Sequence, residues 1–257
     1  MNFVRVSVVQ ADLAWEDADS NRQLMTAEIE RLPATDLIVL PEMFTTGFSM
    51  ASDRLAESMN GPTVDWLRQA AKETGAVVCG SVIIAVGTAR LNRFLWVTPA
   101  GDLEYYDKRH LFRMSTENDN YSPGTERKIF NINGLLVLPQ VCYDLRFPVF
   151  SRNRGDVDLM LYVANWPAAR RQHWCALLTA RAIENQAYVV GVNRVGTDGN
   201  GVRYSGDTRI VDFNGTAIAD LEDRSGSHTV TLGKAPLDAY REGFPAWKDA
   251  DPFELKN

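Results

Sequence analysis

Three strand-like segments in this chain each end in a residue able to do chemistry. DLIVLPE ends at Glu42, LEYYDK at Lys108 and LLVLPQVC at Cys142. A strand end holds a side chain rigidly while letting it face a cleft, and open α/β sheets place their ligand sites there. A thiol, a carboxylate and an ammonium gathered at such ends make a set for covalent catalysis. The thiol attacks once it is deprotonated. The carboxylate takes that proton and passes it to a leaving group, while the ammonium balances a thiolate or a developing oxyanion. Each residue alone also has a plain structural reading. Position by itself favours Cys142 as a packed core cysteine. Glu42 alone caps a helix or pairs with an arginine, and Lys108 alone is a solvated lysine in the polar turn DKRH.

The elements that must position these residues alternate along the chain. VRVSVVQ reads as a β-branched strand, and ADSNRQLMTAEIERLPA as a helix with apolar spacing at Leu24, Ile29 and Leu32, stopped by Pro33. DLIVLPEMF and AVVCGSVII are continuous apolar runs of strand length, hence buried strands, which makes Cys79 a core residue. Between them GPTVDWLRQAAKETG is a helix with Pro62 near its start and Gly75 just past its end. RFLWVTPAGDLEYYDKRHLF reads as a hairpin turning at Pro99 to Asp102. After Cys142, DLMLYVANWP and YVVGVNRVG are strands around the longest helix, AARRQHWCALLTARAIENQA, with Trp174, Leu177, Leu178 and Ala182 near one face. YSGDTRIVDFNGTAIADL reads as a second hairpin with Asn214-Gly215 in its turn. The tail PLDAYREGFPAWKDADPFEL carries no periodic core signal. With no repeat, low-complexity segment or Ser/Gly linker, the expectation is one domain over residues 1–257, a layered α/β sandwich.

Composition narrows the function. Hydrophobic residues make up 45% and charged residues 23%, which places the chain among soluble globular proteins. A formal net charge of −6 gives no support for a nucleic-acid or anionic-membrane partner. The N-terminus lacks a basic segment followed by an apolar run, so no secretory signal is expected. No window approaches the roughly 18 apolar residues of a membrane span. The three cysteines, Cys79, Cys142 and Cys175, are odd in number and far apart, which points to free thiols and a cytoplasmic setting. Three histidines, His110, His173 and His228, lack zinc-ligand spacing to any cysteine, and the expected metal and cofactor content is none. A metal-dependent phosphoesterase on a similar sandwich would need clustered Asp, Asn and His ligands. A catalytically silent interaction protein would not need the Glu, Lys and Cys set. His110 and His173 read as hydrogen-bonded structural residues, and Cys175, within the long helix, as core packing.

LPEMFTTGF around Glu42, YDKRHLF around Lys108 and VCYDLRFP around Cys142 resemble the signatures of the nitrilase, or carbon–nitrogen hydrolase, superfamily, in its order and at about its spacing. VSVVQADLAWEDADSN, YVANWP and RAIENQAYVVGVNR resemble it too, so the likeness covers most of the chain. It is nearest to the ω-amidase-like branch. The resemblance implies a four-layer α-β-β-α sandwich. It implies Glu42 as general base, Lys108 as oxyanion-stabilising lysine and Cys142 as nucleophile, with the Tyr143 N–H as second oxyanion donor. Glu117, in STENDNYSPG, matches the second glutamate of some members. Asn165 and Trp166, at another strand end, are expected to line the pocket.

The activity so implied is hydrolysis of the ω-amide of small dicarboxylic or 2-oxo acids through a thioester. The same triad also serves nitrilases, carbamoylases and acyltransferases. An arginine is needed for the distal carboxylate, and Arg113, Arg146, Arg170 and Arg171 are the candidates. For Arg146 a structural pairing with Asp144 or Glu184 is the favoured expectation. The resemblance also implies a homodimer, with the helix from Ala168 and the tail residues Phe244, Trp247 and Phe253 as candidate contacts.

Overall fold

The computed structural model describes residues 3–255. The first half of the chain runs β1 (Phe3–Gln10), α1 (Ala18–Ile29), β2 (Leu37–Val39), α2 (Ser52–Leu55), α3 (Pro62–Thr74), β3 (Val77–Val86), β4 (Ala89–Val97) and β5 (Leu103–Asp107). The second runs α4 (Glu117–Asn120), β6 (Phe130–Ile132), β7 (Leu135–Val141), α5 (Pro148–Ser151), β8 (Leu159–Val163), α6 (Arg171–Asn185) and β9 (Tyr188–Val192). It continues through β10 (Val195–Thr197), β11 (Arg203–Ser205), β12 (Arg209–Val211), β13 (Ala217–Asp220), β14 (Gly226–Gly233) and α7 (Lys234–Gly243).

Two six-stranded sheets form, ordered β14-β1-β2-β3-β4-β5 and β13-β12-β9-β8-β7-β6. Strand side chains alternate between faces, and here both faces are covered. Leu37 and Val39 of β2 join Val6, Trp96, Val137, Leu161 and Val190 in a core between the sheets. Ile38, between them in sequence, faces the other way and packs with Val78 and Leu95 against Met25 and Ile29 of α1 and Val64 and Leu67 of α3. On the far side Trp174, Leu178 and Ala182 of α6 cover Leu138, Met160 and Val189. The layers are helix, sheet, sheet, helix: the four-layer α-β-β-α sandwich. Burial on both faces explains why β2, β3, β7 and β8 read as unbroken apolar runs.

Several boundaries follow local chemistry. Pro62 opens α3, and Gly75 closes it at φ 66° with its N–H on the Ala71 carbonyl. The Asn214-Gly215 turn joins β12 to β13, with Gly215 at φ 87°.

Three expectations are corrected. Tyr204 does not extend the β12–β13 hairpin; it lies in β11, which pairs with β10. The tail is not without core: α7 buries Leu237 completely, and β14 before it pairs along all of β1. Cys175 is half-buried at the edge of the α6 core rather than inside it.

Candidate active site

Glu42, Lys108 and Cys142 come together although they leave three different strands. Glu42 follows β2 in a turn where Met43 takes φ 43° and its N–H meets the Ser81 hydroxyl at 2.9 Å. Lys108 follows β5, its N–H on the Asn92 carbonyl at 3.0 Å. Cys142 follows β7 and opens a 3-10 turn, Cys142–Arg146, at φ 45°. That left-handed conformation is uncommon for a residue with a side chain, and such residues cluster at functional sites.

Lys108 and Glu42 are both fully buried. The Lys108 ammonium donates to Glu42 Oε1 at 2.9 Å and to both Glu117 oxygens at 2.9 and 3.0 Å. Asn92 Nδ2 donates to the same Glu42 oxygen at 2.8 Å and reaches Glu117 at 3.4 Å. Glu42 Oε2 accepts the Asn165 N–H at 2.8 Å, and the Asn165 side chain donates to the Glu42 carbonyl at 2.6 Å. Glu117 Oε2 accepts the Phe112 N–H at 2.5 Å. The Cys142 sulfur lies 4.0 Å from the Asn165 carbonyl oxygen.

These charges set the protonation states. Burial alone would pull the Lys108 ammonium down, but the carboxylates of Glu117 and Glu42 outweigh it and hold the value above the ordinary lysine range. Burial lifts the Glu117 carboxyl, Lys108 pulls it down, Glu42 pushes it up, and the net direction is up. Burial pushes the Cys142 thiol well above its ordinary value, the Glu42 charge adds to that push, and Lys108 pulls against both. Burial and the Glu42 charge thus favour the protonated thiol over the thiolate, with Lys108 opposing them.

The thiol opens on a cavity of about 450 Å³ that Tyr143, Asn165, Trp166, Arg146, Arg170 and Phe112 help to line. Trp166 is held by its N–H on Asn193 and its indole N–H on the Arg170 carbonyl, both at 2.8 Å. Arg146 pairs with neither Asp144 nor Glu184, against expectation. The Asp144 oxygens are occupied by donors from Val141, Tyr106 and His110, and Glu184 pairs with Arg181. Arg146 instead contacts His173 Nδ1 at 3.0 Å and stacks over Trp166 at 4.7 Å. Burial and the charge of Arg170 lower its value. Among the described residues neither Arg146 nor Arg170 has a carboxylate partner within ion-pair distance. Arg171 is drawn off to Asp207 at 2.6 Å, and Arg113 lies outside the cavity lining. His110 and His173 are hydrogen-bonded as expected.

Sequence reasoning passed over Asn92, although a polar residue inside the apolar run RLNRFLWV was a visible signal. It also passed over Phe48, Asp198 and Tyr204 on the cavity wall, which carry no local signal.

Two helix-covered sheets with this buried Glu–Lys–Glu cluster beside a strand-end cysteine fit one family. The model of the carbon–nitrogen hydrolase family matches residues 5–241, and the chain belongs to that family. An omega-amidase of Escherichia coli K12, YafV, is 48% identical over 258 residues, covering 99% of this chain and 100% of its own. A 2-oxoglutaramate amidase of Bacillus subtilis is 30% identical over 250 residues, covering 95% of this chain and 96% of its own. Among solved structures, the Xanthomonas campestris protein XC1258 superposes with a TM-score of 0.97 at 47% identity, covering 100% of both chains. That protein is a CN-hydrolase superfamily member with an arsenic adduct in its active site.

Proposed function

We propose that this enzyme hydrolyses the ω-amide of a short dicarboxylic or 2-oxo acid, such as 2-oxoglutaramate or 2-oxosuccinamate, to the acid and ammonia. The observation that carries this reading is one cavity. It holds the Cys142 thiol and two guanidiniums, Arg146 and Arg170, that have no carboxylate partner among the described residues. Two like charges in a partly dry site call for an anion, and guanidinium pairs bidentately with a carboxylate. The relatives described as an omega-amidase and a 2-oxoglutaramate amidase support the same substrate class.

In the reaction we infer, Glu42 takes the thiol proton as the sulfur attacks the amide carbon. The carbonyl π electrons move to oxygen, where Lys108 and the Tyr143 N–H balance the charge. Tyr143 stands in the first turn of a 3-10 segment, where backbone N–H groups lack intrahelical partners. The C–N bond then breaks, the nitrogen takes the proton from Glu42, and ammonia leaves a Cys142 thioester. Water, giving its proton to Glu42, attacks the thioester carbon. The C–S bond then breaks, the sulfur takes the proton back from Glu42, and the acid departs. Glu117 holds Lys108 charged and in place, while Asn165 and Trp166 shape the wall and Arg146 takes the distal carboxylate. Fixing the distal end orients the amide and converts binding energy into rate.

The test compares kcat/KM for 2-oxoglutaramate or succinamate with that for butyramide, a neutral amide of similar length. A preference of about tenfold or more is expected, equivalent to about 1.4 kcal/mol of transition-state binding. Equal rates would refute the ω-amide reading while leaving the hydrolase chemistry standing.

We further infer a cytoplasmic homodimer. No helix among the described residues is long and apolar enough to cross a membrane. Ile183 on α6 and the tail side chains Phe244 and Trp247 are exposed at 52%, 60% and 46%, which favours a covering partner. Phe253, by contrast, is met by Arg154 of its own chain at 4.9 Å.

A further inference from the structure

We propose that Asp144 is a positioning residue for the reaction, the group that fixes the Cys142 thiol against the Lys108 ammonium. Asp144 is fully buried and stands two residues after the cysteine. Its Oδ2 accepts the Val141 N–H at 3.0 Å and the Tyr106 hydroxyl at 2.8 Å. Its Oδ1 accepts the His110 backbone N–H at 3.0 Å and contacts His110 Nδ1 at 2.7 Å. Val141 immediately precedes Cys142, while Tyr106 and His110 stand two residues to either side of Lys108. One carboxylate thus ties the turn that carries the thiol to both flanks of the lysine, across the two sheets.

The tie is reinforced on each side. The Tyr106 oxygen also accepts the Arg109 N–H at 3.2 Å. The His110 ring stacks on Phe147 with centroids 3.9 Å apart, and the Phe147 N–H closes the nucleophile turn on the Asp144 carbonyl at 3.0 Å. Cys142 needs such a restraint, because φ 45° is a conformation its own backbone does not favour. Val141, pinned by Asp144, is the last residue of regular strand before that angle.

The chemistry of the tie demands a carboxylate. Each oxygen faces one fixed backbone N–H, from Val141 or from His110. Asparagine at this position would turn its NH₂ toward one of those donors in either orientation, leaving a buried donor unpaired and pushing the strands apart. The sulfur would then lose its place relative to Lys108 and Glu42, while the arginine end of the cavity keeps its own contacts.

The proposal rests on the reading of Cys142 as nucleophile, so Cys142→Ala is measured beside it. Asp144→Asn is expected to lower kcat for 2-oxoglutaramate about 10²-fold with KM nearly unchanged, the scale of an ångström's misplacement of reacting groups. The pH midpoint of Cys142 alkylation by iodoacetamide, followed by peptide mass spectrometry, should also move. It moves up if the sulfur leaves Lys108 and down if it gains water. A purely structural Asp144 would lower Tm yet leave kcat per folded molecule and the alkylation midpoint as in the wild type, and that result overturns the proposal. Should Asp144→Asn fail to fold, Tyr106→Phe removes one hydroxyl and keeps the ring. It is expected to lose about tenfold in kcat, a 1.4 kcal/mol effect, and wild-type kcat in that variant overturns the proposal as well. Turnover by Cys142→Ala would sink the nucleophile reading and the proposal with it, a failure distinct from that of the tie alone.

Discussion

Lys108→Met takes away the ammonium that faces two buried carboxylates and leaves a side chain of similar length. In the wild type that ammonium meets Glu42 at 2.9 Å and Glu117 at 2.9 and 3.0 Å, with no solvent exposure on any of the three side chains. Breaking a buried ion pair by removing one partner costs about 3–5 kcal/mol, because the remaining charge is left uncompensated. At about 2–4 °C per kcal/mol for a chain of this size, apparent Tm should fall by about 6–20 °C. The loss should depend on pH in a defined sense. Glu117 already stands above its ordinary value in the wild type, and Lys108 is what pulls it down. Without Lys108 it rises further above the unfolded value of about 4.3. A carboxyl raised in the folded state contributes its stability below the unfolded value and loses it as pH rises through the folded one. Lys108 itself is held above the ordinary lysine range, so the wild type keeps its ammonium throughout this window. The Tm difference should therefore be widest near pH 8 and narrow toward pH 5. Differential scanning fluorimetry of both proteins at the two pH values reads it. An equal difference at both, or none, would refute the electrostatic account of the cluster. Loss of an oxyanion donor should also lower kcat by about 10²–10³-fold, and near-wild-type kcat would remove Lys108 from that role.

Cys142→Ala should abolish ammonia release while circular dichroism stays that of the wild type, since this side chain is only half-buried at a strand end and the substitution removes its sulfur alone; substantial residual turnover would remove it as nucleophile. Light scattering at micromolar concentration should give twice the 28.7 kDa chain mass, and a monomer mass would count against the dimer.

Much of the site was legible because its residues terminate runs that are themselves legible. An apolar run of strand length that stops at a charge or thiol marks both a buried strand and the side chain it presents, and Glu42 and Cys142 were found that way, while Lys108 was found as the cation ending the more polar strand LEYYD. What escaped depends on pairing between distant residues. β14 offers only Val230 and Leu232 as apolar side chains, and its partner β1 lies more than 200 residues away, so nothing local marked it as core. The α7 segment offered one fully buried apolar residue, Leu237, too few to make a periodic pattern. For Arg146 the nearest carboxylate in sequence, Asp144, was the natural partner to expect. Its oxygens are taken by donors from β5, β7 and the loop after Lys108, a saturation no short-range pattern announces.

The topology explains why the chemistry is divided between sheets. Along β14-β1-β2-β3-β4-β5 the neighbours run antiparallel, parallel, parallel, antiparallel, antiparallel, and β6-β7-β8-β9-β12-β13 repeats that order. Glu42 follows β2 and Asn165 follows β8, the corresponding parallel strands of the two sheets. They bond to each other across the interface, through the Asn165 N–H on Glu42 and the Asn165 amide on its carbonyl. Glu42 and Lys108 follow strands of one sheet and Cys142 a strand of the other, so the distance between thiol and carboxylate is set by the packing of Val39, Trp96, Val137 and Leu161 between them. A close-packed core of this kind has little compressibility. It can therefore hold the half-buried Cys142 thiol beside a carboxylate that pushes its pKa up, an arrangement the charges alone would not keep.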